Sequence, residues 1–119
     1  MNEQFPLFVL WYAVLDWILD RVEQYPRSVR FTVSDRIARL ALQVMEGIVT
    51  AIHTRARSHI LRDVDAYMEI LRVYMRLSMD RKYISMRQYE YISGEINRAG
   101  QMLGGWRKAT KGGLDAGPV

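Results

Sequence analysis

The stretch EILRVYMRLSMDRKY, Glu69 to Tyr83, decides how this chain folds. Arg72 and Arg76 stand four apart in it, among Ile70, Leu71, Val73, Tyr74, Met75 and Leu77. Residues four apart share one helix face, one turn above the other. A lone guanidinium cannot enter an apolar core, because burying an unpaired charge costs more than packing returns. On a wheel turning about 100° per residue, Leu61, Val64, Tyr67, Met68, Leu71 and Met75 line one face at coiled-coil spacing. Ala66, Ile70, Val73 and Leu77 form a second face on the opposite side, and Tyr74 bridges the two. Apolar groups thus cover about 240° of the wheel, whereas a monomeric bundle helix needs a stripe of little more than about 100°. The surplus predicts that this helix is covered twice, once by its own bundle and once by another copy of the chain.

The remaining arc holds Arg62, Asp65, Glu69, Arg72 and Arg76. Two readings of it stand side by side. In one, Asp65, Glu69, Arg72 and Arg76 form an internal ion-pair ladder worth tenths of a kcal/mol per pair. Glu69 has the right spacing to Arg72, and Asp80 is the acid within reach of Arg76. In the other, the two arginines meet an outside anion, either a partner's carboxylate or a phosphate backbone.

Outward from this segment, punctuation divides the chain into four helices. Pro6 suits a first helical turn, and the apolar run after it ends at Tyr25-Pro26. A second helix begins within Ser28–Asp35, with Ser28, Thr32 and Ser34 as candidate caps, and continues to about Thr54. Ile37, Leu40, Ala41, Val44, Met45, Ile48 and Ile52 recur along it at helical spacing. Arg55–Ser58 reads as a turn, and the third helix runs from about His59 to Lys82. Ser85 followed by Gln88 reads as a capping box opening the fourth, whose seam is Tyr89, Ile92, Ile96, Ala99, Leu103 and Trp106. No stretch alternates with the period of a strand. The expected fold is all-α: an up-down-up-down four-helix bundle over 1–108, a loose tail over 109–119, and assembly as a homo-oligomer. Gly104 and Gly105 either cap the end of the fourth helix or, with Gly100, mark a close approach beside Trp106.

Composition sets the function class. The 119 residues carry 17 basic and 13 acidic groups for a net charge of +4, and 14 of the basic residues are arginine, the fork-shaped donor suited to phosphate and carboxylate. Residues 1–26 hold one basic and four acidic groups, whereas residues 27–62 hold seven arginines against two acids. The second helix gathers Arg36, Arg39, Gln43, Glu46, Thr50, His53 and Arg57 at spacings of three and four, flanked by Arg27 and Arg30. Such a face suits sequence-independent phosphate binding, with a merely solvated face as the plain alternative. No helix-turn-helix, RNA-recognition or zinc-finger pattern appears. The absence of cysteine excludes disulfides and thiolate metal sites and fits a cytoplasmic location. Leu7–Leu15, nine apolar residues before Asp16, is too short to span a bilayer, which takes about 20.

Catalytic, cofactor and metal sites are not expected. His53 and His59 stand six apart without an acidic ligand at metal spacing, and Asp63 and Asp65 diverge on the wheel. No nucleophile with a base and no glycine-rich phosphate loop is present, so the chain reads as a non-enzyme.

Three phrases taken in order resemble a known family. PRSVRFTVSDRI (Pro26–Ile37), LRVYMRL (Leu71–Leu77) and EINRAGQMLGGWRK (Glu95–Lys108) are similar to the accessory variability determinant (Avd) family of diversity-generating retroelements. That family is related to four-helix proteins encoded in intervening sequences of ribosomal RNA genes. The resemblance covers about residues 6–108. It implies a homopentameric barrel of four-helix subunits that binds the element's reverse transcriptase and its RNA, with DNA as a second candidate ligand, while the polymerase performs the mutagenic complementary-DNA synthesis. It places Arg72 and Arg76 in the paired arginines that engage polymerase or nucleic acid. It also places Arg27, Arg30 and Arg36 in a basic phrase, and Arg107 and Lys108 at the basic end of the fourth helix. Two alternatives remain: an intervening-sequence protein without a polymerase partner, and a structural helical scaffold whose arginines only make ion pairs.

Overall fold

A computed structural model describes residues 4–111. Four α-helices follow in order: α1 Pro6–Val22, α2 Asp35–Ile52, α3 Ser58–Asp80 and α4 Met86–Lys111. Among the described residues there is no strand. Consecutive helices pack on one another and α1 closes against α4, the pattern of an up-down-up-down bundle. The core draws on every helix: Leu7, Trp11, Val14 and Ile18 from α1, Ile37, Leu40, Val44 and Ile48 from α2, Leu61, Val64, Met68, Leu71 and Met75 from α3, and Ile92, Ile96, Leu103 and Trp106 from α4. For α2, α3 and α4 these are residues of the seams that the sequence periodicity predicts. Trp11 adds a directional tie, its indole N–H donating to the Ala41 carbonyl at 3.0 Å across the α1–α2 contact.

The start of α4 follows the predicted chemistry. The Gln88 amide donates to Ser85 Oγ at 3.0 Å, and the Ser85 amide donates to Gln88 Oε1 at 2.9 Å, so each side chain satisfies a backbone donor that the helix end leaves orphaned. Replacing Ser85 with alanine is expected to cost about 1 kcal/mol of stability, read as a lower urea midpoint with an unchanged slope.

Two boundaries differ from expectation. α4 does not stop at Gly104-Gly105 but continues through Ala109 to Lys111, with Ala109 and Thr110 half-buried, so 109–111, expected as the start of a loose tail, are helical. The rest of that expected tail, 112–119, lies outside the described residues. α1 ends at Val22, ahead of Tyr25-Pro26. α2 starts at Asp35, inside the expected Ser28–Asp35, but it is entered through a 3₁₀ turn at Arg27–Val29 and a π-helical turn at Arg30–Ser34, and none of Ser28, Thr32 or Ser34 caps it with a side-chain bond. Val29 at the end of the first turn and Val33 in the second settle against the core while Arg30, Phe31 and Thr32 stay outside.

The second apolar face of α3 finds little cover among the described residues. Val73 is 67% exposed, Ile70 39% and Leu77 38%, and Ala66 is exposed beside them. α2 and α3, in contrast, press together so closely at Gly47 that a β-carbon there would collide with the Val64 side chain.

Candidate nucleic-acid and polymerase interface

The charged arc of α3 is closed by partners from the chain itself. Arg72 Nε lies 3.1 Å from Glu69 Oε1 one turn earlier, and its Nη1 donates across to Asn97 Oδ1 on α4. The guanidinium lies over Gly100, where a β-carbon would come within 2.7 Å of Nη2. The close approach read from the glycines is therefore made at Gly100, and by a side chain. Arg76 Nε donates to Asp80 Oδ1 at 3.2 Å, a bond that raises the guanidinium pKa still further above its ordinary value. Asp65 does not join this run. It accepts instead from Arg107 Nη1 of α4 at 2.9 Å.

The ion-pair reading of the arc is thus the arrangement of the single chain, with Asp65 exchanged for Asp80 in the ladder. Exposed pairs of this kind contribute about 0–1 kcal/mol each, so an incoming anion that replaces Asp80 at Arg76 meets little opposition. Arg76, with its side chain 63% exposed, is the accessible member. Arg72, at 32%, is half-covered and braced to α4.

Less compensated charge gathers where the chain enters α2. Arg27, Arg30 and Arg36 are all exposed, and among the described residues none has an acidic group within ion-pairing distance. Arg39 is also exposed, but its Nε pairs with Asp35 Oδ2 at 2.9 Å. Arg27 and Arg30 border an open cleft between the end of α1 and the start of α2, with Glu23, Tyr25, Ser34 and Asp35 on its walls. Ser34 Oγ is buried there without a hydrogen-bond partner. Burial pushes the Tyr25 phenol above its usual pKa of 10.0, partly offset by the Ser78 hydroxyl, and the ring packs on Tyr83 with centroids 5.1 Å apart.

Arg57 departs from its expected place. Spacing puts it on the polar face of α2, yet it is only 8% exposed. Its Nε donates to the Thr54 carbonyl at 3.0 Å, and its guanidinium sits 5.4 Å from the Trp106 ring centroid. The reason is register: α2 ends at Ile52, so the helical spacing that places Arg57 below His53 no longer applies beyond that point. Arg57 fastens the α2–α3 turn to the end of α4 and presents no free cation to a phosphate. Lys108 on the last turns of α4 is exposed, and Arg107 is held by Asp65.

A family model described as bAvd-like matches residues 3–110, which spans all four helices and every candidate cation named above. The chain belongs to the bAvd-like family. No curated protein matches it. The bAvd-like match covers both the α3 ladder and the cationic approach to α2. Within the described residues, no cluster of three or more His, Cys, Asp or Glu side chains is arranged to hold a metal ion, and no helix is long and apolar enough to cross a membrane. Two features of this bAvd-like chain escape a reading by periodicity alone. Asn97 as the cross-helix partner of Arg72 has no sequence signal. Phe31, 85% exposed among arginines, is signalled by an aromatic residue interleaved in a basic run.

Proposed function

We propose that this chain is the accessory protein of a diversity-generating retroelement, a basic homo-oligomeric scaffold that binds the element's reverse transcriptase and template RNA and supports mutagenic complementary-DNA synthesis. Membership of the bAvd-like family over residues 3–110 carries the reading. The accessory role has the protein hold and position, while the polymerase supplies the chemistry, in the reducing cytoplasm that a cysteine-free chain fits.

Two surfaces divide the work. The apolar strip of Ala66, Ile70, Val73 and Leu77 on α3 is the seam between copies, since apolar area of this extent left in water favours association. Five copies is the number that the resemblance to the family implies. The α3 arginines beside that seam engage the polymerase, with Arg76 exchanging Asp80 for a carboxylate of the partner. The exposed Arg27, Arg30, Arg36 and Lys108, with Arg39 adjoining, take the RNA backbone and extend to DNA, because phosphate contacts carry no base identity.

The experiment is co-purification with the reverse transcriptase. Arg72→Ala combined with Arg76→Ala should lose the polymerase while helicity and oligomer size stay unchanged, since both ion pairs lie at the surface and the Arg72 bond to Asn97 is one hydrogen bond beside an intact apolar core. Normal recovery of polymerase by the double variant would remove the α3 strip from the proposal. A reverse-transcriptase reading frame beside this one in the genome separates the proposal from an intervening-sequence protein.

A further inference from the structure

Phe31 does not pack into the core that the described residues form. It is 85% exposed, the largest value among the big apolar side chains described, while Val29 and Val33 on either side of it are half-buried against the core. The 3₁₀ turn ending at Val29 and the π turn at Arg30–Ser34 thus place one valine each against the core and leave the ring in water. π turns are rare and concentrate at functional sites. Arginines precede and follow the ring in the chain: Arg27, Arg30 and Arg36 are exposed and without acidic partners among the described residues, and the Arg30 guanidinium stands 5.9 Å from the ring centroid. One guanidinium at that distance leaves the ring 85% exposed, so ring surface stays open to another planar group.

We propose that Phe31 is a stacking platform for an unpaired nucleobase and that Arg27, Arg30 and Arg36 hold the neighbouring phosphates, so that the chain prefers single strands to duplex. The inference rests on the nucleic-acid half of the function proposed above and adds which form of nucleic acid is taken. An exposed aromatic ring amid arginines is the combination that single-strand binding uses: phosphates are drawn by charge, and any base offers a π face. A paired base inside a helix cannot offer that face, and the major groove of duplex RNA is too narrow for side chains to read. A protein partner would seek a broader apolar patch than one ring whose chain neighbours, Arg30 and Thr32, are exposed and polar.

The test is fluorescence anisotropy at low salt with the full chain and three labelled probes of about twelve nucleotides, a length within the site sizes of single-strand binders. The probes are an oligothymidylate, the same backbone without bases, and a duplex of equal length. The wild-type chain should bind oligothymidylate most tightly. Phe31→Ala should weaken that binding about tenfold, the scale of one lost base–aromatic stack, and leave the abasic and duplex probes unchanged. Phe31→Trp should retain the affinity, and its added indole should be quenched by oligothymidylate but not by the abasic strand. The inference is overturned if Phe31→Ala binds oligothymidylate like the wild type, or loses all three probes equally. It is also overturned if sedimentation shows that Phe31→Ala changes the oligomer, which would assign the ring to a contact between copies. Binding to no probe by the wild-type chain would remove the nucleic-acid half of the proposed function along with it, whereas tight binding indifferent to Phe31 removes this inference alone.

Discussion

Replacing Arg27, Arg30 and Arg36 together with alanine is expected to weaken the proposed binding of single-stranded RNA by about 100-fold at 0.1 M salt. The figure follows from counterion release. Each phosphate neutralised on a single strand contributes about 0.7 to the slope of log affinity against log salt, so three lost contacts remove about 2.1 decades between 1 M and 0.1 M. The same loss should vanish near 1 M salt, and the slope itself should fall by about 2.1. The fold should not change, because all three side chains are exposed and none has an ion-pair partner among the described residues. The measurement is affinity by anisotropy across a salt series. A triple variant with the wild-type slope would move the RNA site away from the approach to α2 and leave Lys108, Arg39 and the α3 strip to account for it.

Val73→Asp is expected to break the proposed homo-oligomer into single chains of 13.9 kDa. Val73 is 67% exposed in the isolated chain, so a carboxylate there costs the monomer fold little. In a seam between copies the same carboxylate is buried without a partner once per subunit, at a penalty of several kcal/mol each, which closure of a ring multiplies. Sedimentation velocity at micromolar concentration should show one slow species with unchanged helical circular dichroism. An aspartate variant that sediments like the wild type would place the seam elsewhere. A wild-type chain that is itself a monomer would remove the oligomer, and with it the argument that the α3 arginines line a subunit contact.

The α3 segment shows how far sequence reasoning reaches. The wheel separates Leu61, Val64, Met68, Leu71 and Met75 from Ile70, Val73 and Leu77, and the structure buries the first set and exposes the second. Periodicity works here because helix geometry is a local property: once the segment is helical, every side-chain direction follows from its number. Arg57 shows where this fails. Its register extrapolates from α2, but the helix has already ended, and a turn redirects the chain toward Trp106. Gly104 and Gly105 fail in the opposite sense, because a helix runs through them. Each costs about 1 kcal/mol relative to alanine in a helix interior, and burial of Leu103 and Trp106 against the bundle outweighs it.

The candidate site divides along the same line. That the chain is rich in arginine, and that Arg72 and Arg76 share a face, is written in the order of residues. Which cations are already neutralised is not. Arg107 meets Asp65 across 42 positions and Arg72 meets Asn97 across 25, pairings that exist only because α3 and α4 lie side by side. The Arg27–Ser34 approach gains its exposed charge in the same way, since the acids available to it are fixed by how α1 and α2 meet.

By itself the sequence determined four helices, the buried seams of the second, third and fourth, the capping box at Ser85 and the excess apolar girth of α3, all of which depend on interactions within a few residues. Only the tertiary structure decided that Arg57 is enclosed, that Arg72 is braced to α4 over Gly100, and that the least compensated charge stands beside Phe31. Those outcomes depend on which helix lies next to which, and a guanidinium responds to whatever carboxylate or amide comes within about 3 Å of it, however distant in the chain.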